Sequence, residues 1–437
     1  MREYLFILII AAVVTYLLTP LVRRGAIAIN AQHAPRARDV HTRPTPLLGG
    51  VAMYGGLVAG LLVADRLTYL QGAFPSSRLI AGLLLAGGLL VVVGIVDDRW
   101  GLGAISKLAA QIAAGGIVVW SGAYLPWIPW TGSTKSIVFE PDLSYTVTIL
   151  IIVATINAVN FIDGLDGLAA GVVGISALGY LVYVYELTTS VGTPTQSVPA
   201  VASAVLAGMC LGFLPHNFNP ARIFMGDTGS MLLGLLLAYG PISSTASLDN
   251  NLLVSYNNGA LHPANRFPTI LPLIIPVAIW IIPYTDMVLA MIRRTLKGMS
   301  MFDADRQHLH HRLQNMGHSH RQTVLLMYLW AAAFTGLVVG LSVIRIALIW
   351  FALITVAAIG SLVLATAPKL RPWHSTPGSH SGNRSGTRET TTRSDDRVAA
   401  TRDLAAPVGE PVTGVRPPFR ARSSAQAPPV PPWSNRT

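Results

Sequence analysis

The chain has 437 residues, 52% of them hydrophobic and only 12% charged, with a formal net charge of +11. An ordinary soluble domain is about 45–50% apolar and about 25% charged, so a soluble globular protein is excluded. The 40 glycines lie mostly within long apolar runs, which excludes collagen-like and wholly disordered chains, and the single cysteine, Cys210, excludes an intramolecular disulfide and a thiolate metal cluster.

Eleven apolar stretches are predicted, near 3–22, 47–65, 79–96, 104–121, 143–160, 167–185, 198–215, 229–246, 268–291, 323–344 and 346–367. Each is about 17–24 residues long, enough to cross a hydrocarbon core of about 30 Å at about 1.5 Å per residue. The fold expected is an all-α integral membrane protein with about eleven transmembrane helices and its active site on the cytoplasmic face. Arg2 precedes the first stretch, but Arg23 and Arg24 follow it directly, which favours a retained helix over a signal peptide. With the N-terminus outside, the loops 23–46, 97–107, 157–166, 216–228 and 292–322 share one face and carry 14 Lys and Arg, against 6 on the other. The positive-inside rule makes the first face cytoplasmic.

From Pro368 to Thr437 the composition turns to Ser, Thr, Arg and Pro, with 11 Lys and Arg against 5 Asp and Glu. Such a segment cannot bury enough apolar surface to fold alone. The domains expected are therefore a polytopic catalytic domain over 1–367 and a disordered basic cytoplasmic tail over 368–437. The tail reads as solvated chain, with anionic lipid headgroups or a protein partner as the alternative.

Outside the tail 15 acidic residues remain, and Asp97, Asp98, Asp163, Asp166, Asp227, Asp303 and Asp305 all fall in cytoplasmic-face motifs. An ionisable group at bilayer depth costs about 3 kcal/mol on the insertion scale, so a one-sided cluster calls for a compensating cause. A hard cation together with a phosphate substrate supplies one.

Asp97 and Asp98 stand where an apolar run ends. Adjacent carboxylates repel and share a site comfortably only beside a cation or with one pKa raised; the alternative is a solvated helix end paired with Arg99. The string Asn157-Ala-Val-Asn160-Phe-Ile-Asp163-Gly-Leu-Asp166-Gly repeats amides and acids at three-residue spacing, which in a helix puts them on one face. Its glycines suggest a tight turn, and Asp is also a good N-cap for the run that follows. Phe224-Met-Gly-Asp227-Thr-Gly-Ser230 opens another apolar run, where backbone N–H groups can approach an anion and Asp227 can hold a divalent ion or serve as N-cap alone. Phe224 is suited to stack on a base.

In the longest cytoplasmic loop, Asp303-Ala-Asp305-Arg306-Gln-His308-Leu-His310-His311-Arg312 suggests an anion clamp more than a zinc site. It lacks cysteine and His-x₃-His spacing, and its arginines repel a dication while donating well to phosphate. Lys107 and Asp286 are lone ionisable residues near or within predicted spans, so each is a functional candidate; snorkelling of Lys107 and pairing of Asp286 with Arg293 or Arg294 are the simpler readings.

Arg43-Pro-Thr-Pro-Leu-Leu-Gly49-Gly50, Asp97-Asp98, the Asn160–Gly167 string, the Phe224–Ser230 string and His308-Leu-His310-His311-Arg312-Leu, in that order, resemble the polyprenyl-phosphate N-acetylhexosamine-1-phosphate transferases of the bacterial WecA type, in glycosyltransferase family 4. The resemblance covers about 1–367. It implies transfer of a sugar 1-phosphate from a UDP-sugar to a polyprenyl phosphate, with UMP released, Mg²⁺ or Mn²⁺ required and the bacterial plasma membrane as location. It also implies that Asp227 is the main metal ligand, that Asp97 and Asp98 lie near the lipid phosphate, and that Lys107 contacts phosphate. Asn160 and Asp163 are then at the nucleotide, Phe224 on the uracil, and Arg306, His308, His310 and His311 at the diphosphate or sugar. Asp166 joins the catalytic acids without a distinct role.

The muramoyl-pentapeptide branch of the superfamily usually carries three consecutive histidines in the last cytoplasmic loop. The His-Leu-His-His order here favours UDP-GlcNAc as donor. The partners expected are UDP-GlcNAc, a polyprenyl phosphate and membrane lipids, with no nucleic acid; a homodimer is compatible with this reading. The chemistry expected is direct attack by the lipid phosphate, whose second pKa near 6 leaves it largely dianionic at neutral pH, with a covalent aspartyl-phosphate as the competing route. Two rivals explain less. A secondary transporter predicts polar residues near the midplane rather than on one face, and a phosphotransferase acting on CDP-alcohols needs an Arg that Asp166-Gly-Leu-Ala-Ala-Gly lacks.

Overall fold

The computed structural model describes residues 1–33, 44–67, 70, 77–129, 136–191, 197–247 and 319–343, all within one compact unit, Met1–Arg371. The expected spans 268–291 and 346–367, Asp286, the loop with Asp303, Asp305 and the histidines, and the tail lie outside the described residues.

Hydrocarbon offers no partner for a backbone N–H or C=O, so each apolar run closes its hydrogen bonds on itself as a helix. The described helices are α1 (Arg2–Ala28), α2 (Gly49–Arg66), α3 (Ser77–Trp100), α4 (Ala104–Trp120), α5 (Pro141–Ile162), α6 (Leu168–Val191), α7 (Ser197–Asn217), α8 (Gly226–Ser247) and α9 (His320–Val343). They coincide with the first eight expected spans and the tenth. Several run past the apolar stretch: α1 continues through Arg23 and Arg24, and α3 keeps Asp97 and Asp98 in its last turn. Among the described residues six helices are long and apolar enough to cross a membrane: α1, Arg78–Trp100 of α3, α5, Leu168–Thr189 of α6, α7 and α8. The chain is thus a mostly helical membrane protein.

Two short antiparallel ladders join the helices. In the first, β1 (Gln32–His33) pairs with β2 (Thr45–Pro46), with Gln32 opposite Pro46; in the second, β3 (Trp127–Pro129) pairs with β4 (Ser136–Val138), with Ile128 opposite Ile137.

The core lies along α7 and α8, which are buried over most of their length. α7 packs against α1, α2 and α6, and α8 against α2, α3, α5 and α7. Small residues make this closeness possible, as in other membrane bundles: a Cβ at Gly208 or Gly212 of α7 would strike the Leu8 or Ala12 carbonyl of α1. The outer face of α1 leaves Leu5, Phe6, Ile9, Leu17 and Leu21 exposed, as suits a helix that meets lipid. The C-terminal ends of α1, α3, α5 and α7 and the N-terminal ends of α2, α4, α6, α8 and α9 gather at one end of the bundle, where the polar residues concentrate.

Candidate active site

At the end of α3 the chain turns at Gly101, whose N–H bonds back to the Asp97 carbonyl at 2.8 Å. The same turn fixes the Asp97 carboxylate, whose Oδ1 accepts the Leu102 N–H at 2.7 Å and whose Oδ2 accepts the Lys107 ammonium at 3.0 Å. Asp98 faces another way. Its Oδ1 accepts the Asp227 N–H at 2.9 Å, and its Oδ2 accepts the Thr228 hydroxyl at 2.6 Å and the Thr228 N–H at 3.3 Å. The first N–H groups of a helix have no partner within it, so Asp98 acts as the cap of α8 from a different helix. Gly226 makes room for it: its φ of 69° is left-handed, and a Cβ there would strike the Asp98 carboxylate. Gly94 of α3 likewise lies directly against the backbone of Thr228.

Asp227 is the hub of the cluster. Its Oδ2 accepts Lys107 Nζ at 2.7 Å and its Oδ1 accepts Asn160 Nδ2 at 2.9 Å, while the same amide reaches Ser230 Oγ at 2.9 Å. Four helices, α3, α4, α5 and α8, therefore contribute Asp97, Lys107, Asn160 and Asp227 with Ser230 to a single network. Side-chain exposure of 10% at Asp97, 25% at Asp227 and 29% at Lys107 leaves the network reachable while stripping most of its water. Neither the Arg99 pairing nor free snorkelling of Lys107 is seen: Arg99 lies over the Trp100 ring, and Lys107 bridges two carboxylates.

One oxygen each of Asp97, Asp98 and Asp227 lies within 4.8 Å of the others. Three carboxylates at that spacing suit a hard, oxygen-seeking cation such as Mg²⁺ or Mn²⁺. The Lys107 ammonium, held between two of the three, is itself a sign that positive charge is stable there. Asp97 and Asp227 fit best as ligands: they already share one cation, Lys107, whereas both oxygens of Asp98 accept donors at the start of α8.

The shared helical face expected over Asn157–Asp166 stops at Ile162, where α5 ends and residues 163–167 turn. Asn157 and Asn160 keep the face; the two acids separate from it and from each other. Among the described residues no hydrogen bond or ion pair reaches the Asp163 carboxyl. Desolvation, then the negative charges of Asp227, Asp98 and Asp166, push its pKa up to about 8. Asp166 is buried, and its Oδ2 accepts the Asn219 side-chain amide at 2.9 Å and the Ala221 N–H at 3.0 Å. It braces the loop leading to Asp227 rather than joining the network around Lys107.

That loop is held from many sides. Asn217 accepts the Gly167 N–H and donates to the Ile223 carbonyl, both at 3.0 Å. Arg23 of α1 donates to the Arg222 carbonyl at 3.0 Å, and Arg321 of α9 to the Asn219 carbonyl at 3.2 Å. Phe224 pairs through its backbone: its N–H bonds to Pro46 O, its carbonyl accepts Gly49 N–H, and Met225 O accepts Gly50 N–H. The Arg43–Gly50 and Phe224–Ser230 strings are thus joined by backbone hydrogen bonds, and Phe224 is partly buried beside them. Arg306, His308, His310 and His311 lie outside the described residues.

Sequence reasoning passed over Asn217, Thr228 and Ser230 as individual residues. The signal available was their place inside polar strings at helix ends, where side chains commonly satisfy orphan backbone groups.

A protein-family model, "Glycosyl transferase family 4", matches residues 80–245, which include Asp97, Asp98, Lys107, Asn160, Asp163, Asp166 and Asp227. A decaprenyl-phosphate N-acetylglucosaminephosphotransferase of Mycolicibacterium smegmatis is 43% identical over 336 residues, covering 76% of this chain and 80% of the relative. The chain belongs to glycosyl transferase family 4. Similar proteins include a probable undecaprenyl-phosphate N-acetylglucosaminyl 1-phosphate transferase of Bacillus subtilis, 32% identical over 79% of this chain and 86% of the relative. An undecaprenyl-phosphate alpha-N-acetylglucosaminyl 1-phosphate transferase of Escherichia coli K12 is 29% identical over 72% and 77%.

Proposed function

We propose that this family 4 protein transfers GlcNAc-1-phosphate from UDP-GlcNAc to a polyprenyl phosphate in the bacterial plasma membrane, releasing UMP and starting a lipid-linked envelope glycan. The observation that carries the proposal is Lys107, seated between Asp97 and Asp227 at 3.0 and 2.7 Å at the charged end of an apolar bundle. The names of the similar proteins add a polyprenyl phosphate and an N-acetylglucosamine phosphate to that geometry. An eleven-span topology with this end in the cytoplasm matches the excess of Lys and Arg on the same face.

In the reaction a lipid-phosphate oxygen forms a bond to the β-phosphorus of UDP-GlcNAc as the bond to the UMP oxygen breaks. Two like unit charges about 4 Å apart repel by roughly 4 kcal/mol at an effective dielectric near 20, so neutralisation is the main task of the site. Lys107 supplies one positive charge. Asp227 with Asp97 would hold Mg²⁺ or Mn²⁺, which offsets diphosphate charge and stabilises the leaving UMP. Asn160 orients Asp227, and Phe224, Asp163, Arg306, His308, His310 and His311 are assigned to the donor. Both oxygens of Asp98 accept donors of α8, and those of Asp97 accept the Leu102 N–H and Lys107, so neither acid is free to act as a nucleophile, which supports direct attack over an aspartyl-phosphate. Asp97 orients the lipid phosphate through the Lys107 ammonium it holds.

The test is label transfer in membranes containing the protein, with radiolabelled UDP-GlcNAc, a polyprenyl phosphate and Mg²⁺, and Asp227→Asn as control. Organic-extractable label with matching UMP release, absent from the variant, is expected. Transfer from UDP-MurNAc-pentapeptide instead would overturn the donor, and inactivity with every UDP-sugar would overturn the reaction.

A further inference from the structure

Among the described helices α4 lies at the edge of this part of the bundle. It packs on α3 and α5, while Ile105, Leu108, Ile112 and Trp120 on its other side are exposed. Yet Lys107, in its first turns, has to present its ammonium to Asp97 and Asp227 within hydrogen-bond distance. One turn deeper on each helix that meets at Asp227 stands a second residue. Gln111 follows Lys107 by four, Asn157 precedes Asn160 by three, and Met231 follows Asp227 by four, so each lies on the same helical face as its upper neighbour.

These deeper residues also meet. Asn157 Nδ2 donates to Gln111 Oε1 at 2.7 Å, and Gln111 Nε2 faces Met231 Sδ at 4.0 Å. Gln111 is buried, where an unpaired amide is costly, so the contact fixes its side chain. α5 and α8 are locked together without it, because Gly234 lets their backbones touch at Ile156. α3 and α8 are locked in the same way at Gly94 and Thr228. The Asn157–Gln111 bond ties α4 to that frame directly beneath the charged cluster.

We propose that Gln111 and Asn157 are a positioning pair for the transfer reaction, whose mutual hydrogen bond sets the height and rotation of α4 against α5 and thereby delivers Lys107 to Asp227. The kinetic part of this rests on the transferase reading. Because the pair acts as one unit, loss of either member has the effect of losing both.

The experiment compares Gln111→Met, Asn157→Leu and the double variant in membranes, by two readouts. In the first, kcat for label transfer falls by about tenfold in each single variant, KM for UDP-GlcNAc changes by less than about twofold, and the double variant is no slower than the singles. In the second, acylation of Lys107 by an amine-reactive reagent is mapped by mass spectrometry and normalised to the other lysines of the same sample. Lys107 is labelled faster in all three variants than in the wild type. Additive losses, or lower yield of folded protein with kcat and Lys107 labelling unchanged, overturn the pair as positioning residues. A wild type without transferase activity overturns the proposed reaction alone, and the labelling readout still decides the pair.

Discussion

Asp98 accepts the Thr228 hydroxyl at 2.6 Å, so an acid at the C-terminal end of one helix fastens the first turn of another. Asp97, its immediate neighbour, turns to the Leu102 N–H and Lys107 instead. Two adjacent carboxylates therefore do different work.

That division is open to mutation. Asp98→Ala should lower stability by about 1–2 kcal/mol, the usual worth of a lost cap, in addition to lowering activity. Asp97→Ala should abolish most transfer with a smaller change in thermal unfolding. Tm in detergent and label transfer, measured on both variants, check the contrast.

Lys107→Met leaves Asp97 and Asp227 facing one another without their shared cation. Transfer should fall by at least about a hundredfold, since positioned charge is the main source of catalysis in phosphoryl transfer. Lys107→Arg should not restore it, because a planar guanidinium cannot occupy the compact ammonium position between the two acids. Initial rates at saturating donor decide this.

Asp163 carries a pKa raised to about 8 by desolvation and by Asp227, Asp98 and Asp166. In the unfolded chain an aspartate ionises near 3.9, so between about pH 4 and pH 8 the folded state binds more protons than the unfolded one. Its contribution to stability is present at the acid end of that window and is lost as pH rises through it. Asp163→Asn should flatten this slope, raising Tm more at pH 8 than at pH 5. Thermal unfolding of both proteins across that range is the measurement, and equal shifts at both ends would contradict the pKa.

If Asp227 and Asp97 hold a divalent ion, EDTA should abolish transfer and either Mg²⁺ or Mn²⁺ should restore it. Asp227→Asn should weaken Mn²⁺ binding by about tenfold or more, read by the free-Mn²⁺ signal in electron paramagnetic resonance. Unchanged Mn²⁺ binding in the variant would place the ion elsewhere.

The helices were legible in the sequence because bilayer thickness dictates both their length and their apolar composition, and Lys107, Asp97 and Asp227 stood out as charges at span ends. Less legible was which acid does what. Asp163 and Asp166 repeat at three-residue spacing, but the helix ends at Ile162, and only the turn decides that one carboxyl is left without a hydrogen-bond partner among the described residues while the other braces Asn219 and Ala221. The capping bond from Asp98 to α8 spans 130 positions in sequence, a distance at which local pattern carries no information. Gln111 likewise reads as an isolated polar residue, and Asn157 only as a member of its own string, until three helices bring their faces together.

The clamps on the 217–225 loop also differ in when they become available. A chain emerging from the ribosome has Asp97, Lys107, Asn160 and Asp227 all in hand once α8 has been made, so the charged network can assemble early. Arg321, which secures the Asn219 carbonyl, belongs to a helix that begins at His320, well after α8 ends at Ser247. The order of synthesis therefore supplies the reactive cluster together with the Arg23, Asp166 and Asn217 clamps before the Arg321 clamp, so that during biogenesis the loop beside the site is fastened in two stages, the last of them from α9.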